Sequence, residues 1–271
     1  MKKVFTSMTL ALLTTMSWSQ KREVRDLSSF TQVSFGVSGK LYLRQGNEQR
    51  VEIEADDETM ERIEFEVRGD RLLIRSDNQW SDWWSWKNDP RITVYITMRD
   101  IEGLSVSGSG DLVAETPVNA RDLDLSVSGS GYLEAEIVAS GNVEADVSGS
   151  GDMKLKGKCG NIESDISGSG NVYFTGQISG EGKFDLTGSG KLQASGSAQS
   201  VKAWISGSGR VSAADLEADR CDVRISGSGS VQINVKRELN ANISGSGSVS
   251  YRGNPSHVNS NSSGSGKVRK M

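Results

Sequence analysis

Histidine, cysteine and long apolar runs are what this chain has least of. His257 is the single histidine in 271 residues, two positions after Pro255, so no metal centre or Ser/His/Asp relay can be built from several histidines. With 31 Lys and Arg against 35 Asp and Glu the net charge is −4, and no basic field is present to gather nucleic acid. Beyond the first twenty residues no stretch is apolar over the ~20 residues that a membrane-crossing helix needs. No segment carries a helical apolar period of useful length either. What remains is glycine, serine and alternation.

Nine copies of Gly-Ser-Gly begin at Gly108, Gly129, Gly149, Gly168, Gly188, Gly207, Gly227, Gly245 and Gly264, at intervals of 18 to 21 residues. Two residues before each triplet stand Val106, Val127, Val147, Ile166, Leu186, Ile205, Ile225, Ile243 and finally Ser262. Four residues after its first glycine stand Leu112, Leu133, Met153, Val172, Leu192, Val211, Val231, Val249 and Val268. The flanks alternate with period two, the strand signature, so each unit reads as two short strands joined at a glycine corner. The fold expected is all-β, a parallel β-helix with rungs of about 20 residues stacked at about 4.8 Å. The general crossover rule makes it right-handed, and nine rungs would form a rod about 40 Å long. A further inward column, Leu125, Ala145, Ser164, Phe184, Ala203, Val223 and Ala241, mixes sizes, and a large neighbour fills the room a small one leaves.

Three other readings of the triplets fail on chemistry. A flexible linker would not hold aliphatic columns in register on both sides. A phosphate-cradling loop needs a helix N-terminus facing the anion. A calcium-binding β-roll has a shorter nonapeptide period, and the residue after the triplet varies here through Asp111, Tyr132, Asp152, Asn171, Lys191 and Arg210. Cys159 and Cys221 are the only cysteines. About three rungs would separate them by about 14 Å, beyond the ~7 Å between Cα atoms that a disulfide tolerates, so two free thiols are expected. Cys221 shares an inward column with Leu123, Val143, Ile162 and Val201; Cys159 falls at a turn.

The ends differ from the repeats. Lys2 and Lys3, an apolar stretch from Val4 to Met16, and Ser17 and Ser19 around Trp18 read as a secretory signal peptide over 1–19. The mature chain is then expected outside the cytoplasm, periplasmic or secreted to the surface. From 20 to 103 the triplets are missing but strand patterns continue over Phe30–Val37, Lys40–Arg44, Gln49–Ala55, Arg62–Arg68, Arg71–Ser76 and Arg91–Met98. This section is expected to cap the repeat section, 104–271, because a bare terminal rung exposes strand edges. At the other end Ser260, Ser262 and Lys270 replace apolar residues, a rung built to stop.

Arg25-Asp26-Leu27-Ser28-Ser29-Phe30, Leu43-Arg44-Gln45-Gly46, Val51-Glu52-Ile53-Glu54-Ala55-Asp56 and Leu104-Ser105-Val106-Ser107-Gly108-Ser109-Gly110-Asp111, in that order, are similar to the putative auto-transporter adhesin, head GIN-domain family. This is a domain of unknown function. The resemblance covers roughly residues 25 to 250. It implies a secreted β-helical protein of Bacteroidetes-type bacteria and supplies no catalytic residues.

Parallel β-helices often act on polysaccharides through clustered acids in a groove. The best cluster here lies on outward positions: Asp124, Glu144 and Glu163 in one column, Asp146, Asp165 and Asp185 in the next. Carboxylates about 4.8 Å apart repel one another unless water, salt or a cation screens them. A weak surface calcium site is one reading, a plain solvated acidic face the other, and a catalytic acid pair the third. Trp80, Trp83, Trp84 and Trp86 fall within seven residues, in a polar segment. They read as a lid on the first rungs, as a contact surface for sugar rings or protein, or as an oligomerisation element. The function expected is noncatalytic: adhesin-like binding of a glycan, a cell-envelope component or a surface protein. No cofactor or nucleic acid is implied, and a homo-oligomer is compatible. A self-assembling envelope scaffold is the alternative, and a polysaccharide-active enzyme comes third.

Overall fold

The molecule is described by a computed structural model over residues 21–76 and 92–271. The expected signal peptide and the four clustered tryptophans lie outside those residues. The repeats coil as a β-solenoid, and each Gly-Ser-Gly sits at a corner between two walls. Before the corner run β8 (Gly103–Gly108), β11 (Leu123–Gly129), β13 (Asn142–Gly149) and β15 (Asn161–Gly168); after it run β9 (Asp111–Ala114), β12 (Tyr132–Ala139) and β14 (Asp152–Cys159), with β10 (Val118–Ala120) a short piece in the return to β11. Further on, single strands bend around a whole turn: β16 (Asn171–Gly188), β17 (Lys191–Gly207), β18 (Arg210–Gly227) and β19 (Ser230–Gly245). The last rung is β20 (Ser248–Arg252), β21 (His257–Gly264) and β22 (Lys267–Lys270). All these pairings are parallel, and equivalent positions pair 18 to 21 residues apart, as in Leu125 with Leu104 and Gly227 with Gly245.

The corner is glycine for two separate reasons. Gly149 has φ 106°, a left-handed conformation that side chains resist. At Gly151 a Cβ would lie 2.5 Å from Val127 Cγ1 and 2.6 Å from the carbonyl oxygen of Gly131, so neighbouring rungs pack at their closest there. Between corners the inward columns are buried as the alternation predicts, Val147, Met153 and Val172 at 1% exposure or less. Each such side chain contributes about 1.5–3 kcal/mol. The mixed-size column works as a jigsaw: Phe184 pairs with Ser164 on one side and Ala203 on the other. The Ser164 hydroxyl is buried without a partner, which costs about 1–3 kcal/mol; a small residue there makes room beside Phe184. Both cysteines are free and buried, each as an inward residue.

The first section joins the same stack in an order that the sequence does not announce. β2 (Gln32–Gly36) and β3 (Lys40–Gln45) form a rung around Ser38 and Gly39 that pairs in parallel with β8 and β9 on one side. On its other side it pairs with β6 (Arg71–Ser76) and β7 (Thr93–Met98). Beyond these the sheet turns antiparallel. β4 (Arg50–Ala55) lies on β7, β1 (Lys21–Arg25) on β4, and β5 (Ile63–Arg68) on β6. The helix α1 (Asp57–Arg62) links β4 to β5, with Asp56 accepting from the Thr59 N–H at 2.9 Å and Met60 buried. At six residues it is too short to show a helical period in sequence.

Candidate functional site

Because the wall before the corner is a parallel ladder, residues at one offset from the corner stack. Asp124, Glu144 and Glu163 pair in succession, and Asp146, Asp165 and Asp185 do so beside them. Both acidic columns therefore face outward together, as the alternation implied. Like-charge crowding is visible in their titration. Asp124 beside Glu144 pushes the Glu144 carboxyl above its usual range. Loss of hydrating water, then the charges of Asp124 and Glu163, raises Asp146. Asp165 is raised in the same way, with Asp185 its nearest repulsive neighbour.

One residue of this patch was missed in the sequence reading. The offset that carries Glu163 carries Lys183 one rung later, and its ammonium donates to Glu163 while lying 3.1 Å from Asp185 Oδ2. Its pKa is pushed up by those two carboxylates. Glu163, Asp165 and Asp185 can bring three carboxylate oxygens within 4.8 Å of one another. A calcium ion would need six to eight oxygens and would have to share that space with the Lys183 ammonium. Asp124, Glu144, Asp146 and Asp165 have no cation within 4.0 Å among the described residues. The Lys183 column could have been found by extending the offset count past the last acid.

Beyond Lys183 the wall changes character. Trp204 pairs with Asp185 on one side and Arg224 on the other. Lys183 Nζ lies 5.3 Å and Arg224 Cζ 5.2 Å from its ring centre. Cations thus hold the indole, which is a packing element of the wall. Asn242 and Asn261 continue the column. On the wall after the corner, Lys154 bridges Glu134 at 2.7 Å and Asn171 donates to Asp152 at 2.6 Å. Near the capped end Tyr42 and Tyr95 stack at 5.7 Å with Arg22 4.1 Å over Tyr95.

Groups with nucleophilic potential are held apart. Burial pushes the Cys159 thiol up to about 11 and Cys221 up to about 12, so neither forms the thiolate that reacts. His257 is exposed on the last rung, and its Nδ1 lies 3.1 Å from the Ser256 hydroxyl. Among the described residues no helix is long and apolar enough to cross a membrane.

The family model described as putative auto-transporter adhesin, head GIN domain, matches residues 29–190 and again 176–255. No curated protein matches the chain. Among solved structures, a putative lipid binding protein and a putative adhesin, both from Parabacteroides distasonis, align at 21% and 20% identity. Each has a TM-score of 0.68 over 93% of this chain, and 96% and 97% of theirs is covered. A putative adhesin from Parabacteroides merdae aligns at 17% identity with TM-score 0.68 over 93% and 96%. At such identities the likeness is one of fold.

Proposed function

The chain belongs to the putative auto-transporter adhesin, head GIN-domain family, and from that premise we propose that it is a noncatalytic, extracytoplasmic binding rod. Its ligand is a glycan, another cell-envelope component or a surface protein. Family membership over most of the chain carries this reading. The chemistry of the described residues supports it: the thiols are buried, the one histidine sits on an exposed edge, and the acids form ladders rather than a groove with a poised pair. Binding is assigned to Trp80, Trp83, Trp84 and Trp86, because indole faces suit sugar rings and concentrate at binding hot spots.

The test is retention of the purified protein on bacterial and host glycans, envelope fractions and lipid vesicles. The vesicles are included because one similar structure is described as a lipid binding protein. A variant with all four tryptophans changed to Ser, and shown by circular dichroism to be folded, is run alongside. Loss of binding in the folded variant is the expected result. Equal binding by both would move the site elsewhere on the rod, and cleavage of a polysaccharide would replace binding with catalysis.

A further inference from the structure

Charge along the rod is sorted, and the sorting changes sign at one level. From 100 to 185 there are five Lys and Arg against fifteen Asp and Glu, a net of −10; from 186 to 271 there are eleven against five, a net of +6. The switch falls on both sides of the corner at neighbouring rungs. On the wall before it, Asp124, Glu144, Asp146 and Asp165 give way to Lys202 and Arg224 in the same two columns. On the wall after it, the column that begins with Asp111 and passes through Asp152 continues as Lys191, Arg210 and, on the last rung, Lys267. Lys191, Arg210 and Lys267 have no carboxylate within 4.0 Å among the described residues. Their acidic counterparts Asp124, Glu144, Asp146 and Asp165 are equally unpaired.

We propose that a second copy of this chain docks along the corner in the opposite direction, related by a two-fold axis placed where the charge changes sign. That operation sets each wall against the same wall of its partner with the ends exchanged. Every acidic stretch then meets the basic stretch of its own column, on both walls at once. The contact is isologous and closes at two copies. Running the partner in the same direction would instead set acid against acid and base against base, which costs several kcal/mol. The raised pKa values of Glu144, Asp146 and Asp165 fit a surface whose counter-charges are supplied from outside the chain. The inference does not depend on which ligand the rod binds.

The experiment is sedimentation of the full chain across a salt series. A dimer is expected at low ionic strength, dissociating as the screening length falls to about 10 Å near 0.1 M salt. Two triple variants sharpen it: Glu144→Lys, Asp146→Lys, Asp165→Lys, and Lys191→Glu, Arg210→Glu, Lys267→Glu. Each alone should self-associate at least about tenfold more weakly. An equimolar mixture of the two should recover the dimer as a heterodimer, a rescue that misfolded chains could not give. A monomer at every salt concentration, or failure of the mixture to pair, would overturn the proposal. Growth past two copies would overturn the two-fold geometry. Retention of a monomeric parent on an anionic polysaccharide, lost only in the second variant, would replace the partner with a polyanion.

Discussion

At the first rungs β4, β5 and α1 lie across the stack, and Phe35, Ile53, Met60 and Ile74 are buried to 4% exposure or less. At the last rung Val258 is 44% exposed, and Ser260 and Ser262 stand where Ala241 and Ile243 stood one rung earlier. Any stack of rungs leaves a terminal core face and a terminal strand edge open. One end keeps an apolar core and covers it with antiparallel strands. The other lets the core become polar, so that its final face tolerates water. The difference shows that a lid is required only where the terminal core is apolar.

The sharpest way to break this contrast is to hollow the covered end. Phe35→Ala should cost about 3–5 kcal/mol, because Phe35 is fully buried and reaches across to Gly110. Denaturant unfolding followed by circular dichroism would measure it, and a loss under about 1 kcal/mol would mean that the cap is not part of the cooperative unit. A smaller effect separates interior from end. Gly149→Ala and Gly264→Ala introduce the same fault, positive φ with a Cβ 2.6 or 2.5 Å from the carbonyl oxygen of the rung before. The interior change should cost about 1–3 kcal/mol. The terminal one should cost less, since only the last rung is forfeited. Hydrogen exchange would show fraying confined to 257–271 in Gly264→Ala and a wider loss in Gly149→Ala.

Between the ends, charge rather than packing is adjustable. Asp146 titrates above its ordinary value in the fold, so its ionised form is disfavoured there relative to the unfolded chain. The stability it allows is complete below the unfolded value near 3.9 and declines as pH rises through the raised folded value. Asp146→Asn should therefore melt above the parent at neutral pH and level with it in acid. Solvent screening limits the gain to about 1 kcal/mol or less. A variant that melts lower at neutral pH would refute the repulsion. The smallest effect belongs to the open end: Val258→Ala should change stability by less than about 0.5 kcal/mol, measured in the same denaturant series.

The repeats were legible because each rung restates the same offsets: the corner glycines, the buried columns through Val147 and Met153, and the outward acids all follow from counting. The six expected strands of the first section also form, over Gln32–Gly36, Lys40–Gln45, Arg50–Ala55, Ile63–Arg68, Arg71–Ser76 and Thr93–Met98. Their partners were not legible, because alternation says which side chains turn inward and nothing about whether β4 runs with or against β7. β1 was missed since Lys21–Arg25 is short and mostly charged, and α1 since six residues hold fewer than two turns. Lys183 was hidden by its sign: a search for acids stops at the first cation, although that cation is what neutralises Glu163 and Asp185.

The rung β2–β3 lies between β6–β7 and β8–β9, so its neighbours in space come later in the chain than everything that separates them. Phe35 meets Val106 across 71 residues, and Leu43 meets Ala114 across the same span. Contacts of such separation carry a high loop-closure cost before any reward. A chain emerging from its N-terminus cannot finish the covered end until residue 114 is available, whereas each later rung needs only the one just laid down. Assembly therefore starts among the repeats and reaches the oldest segment last.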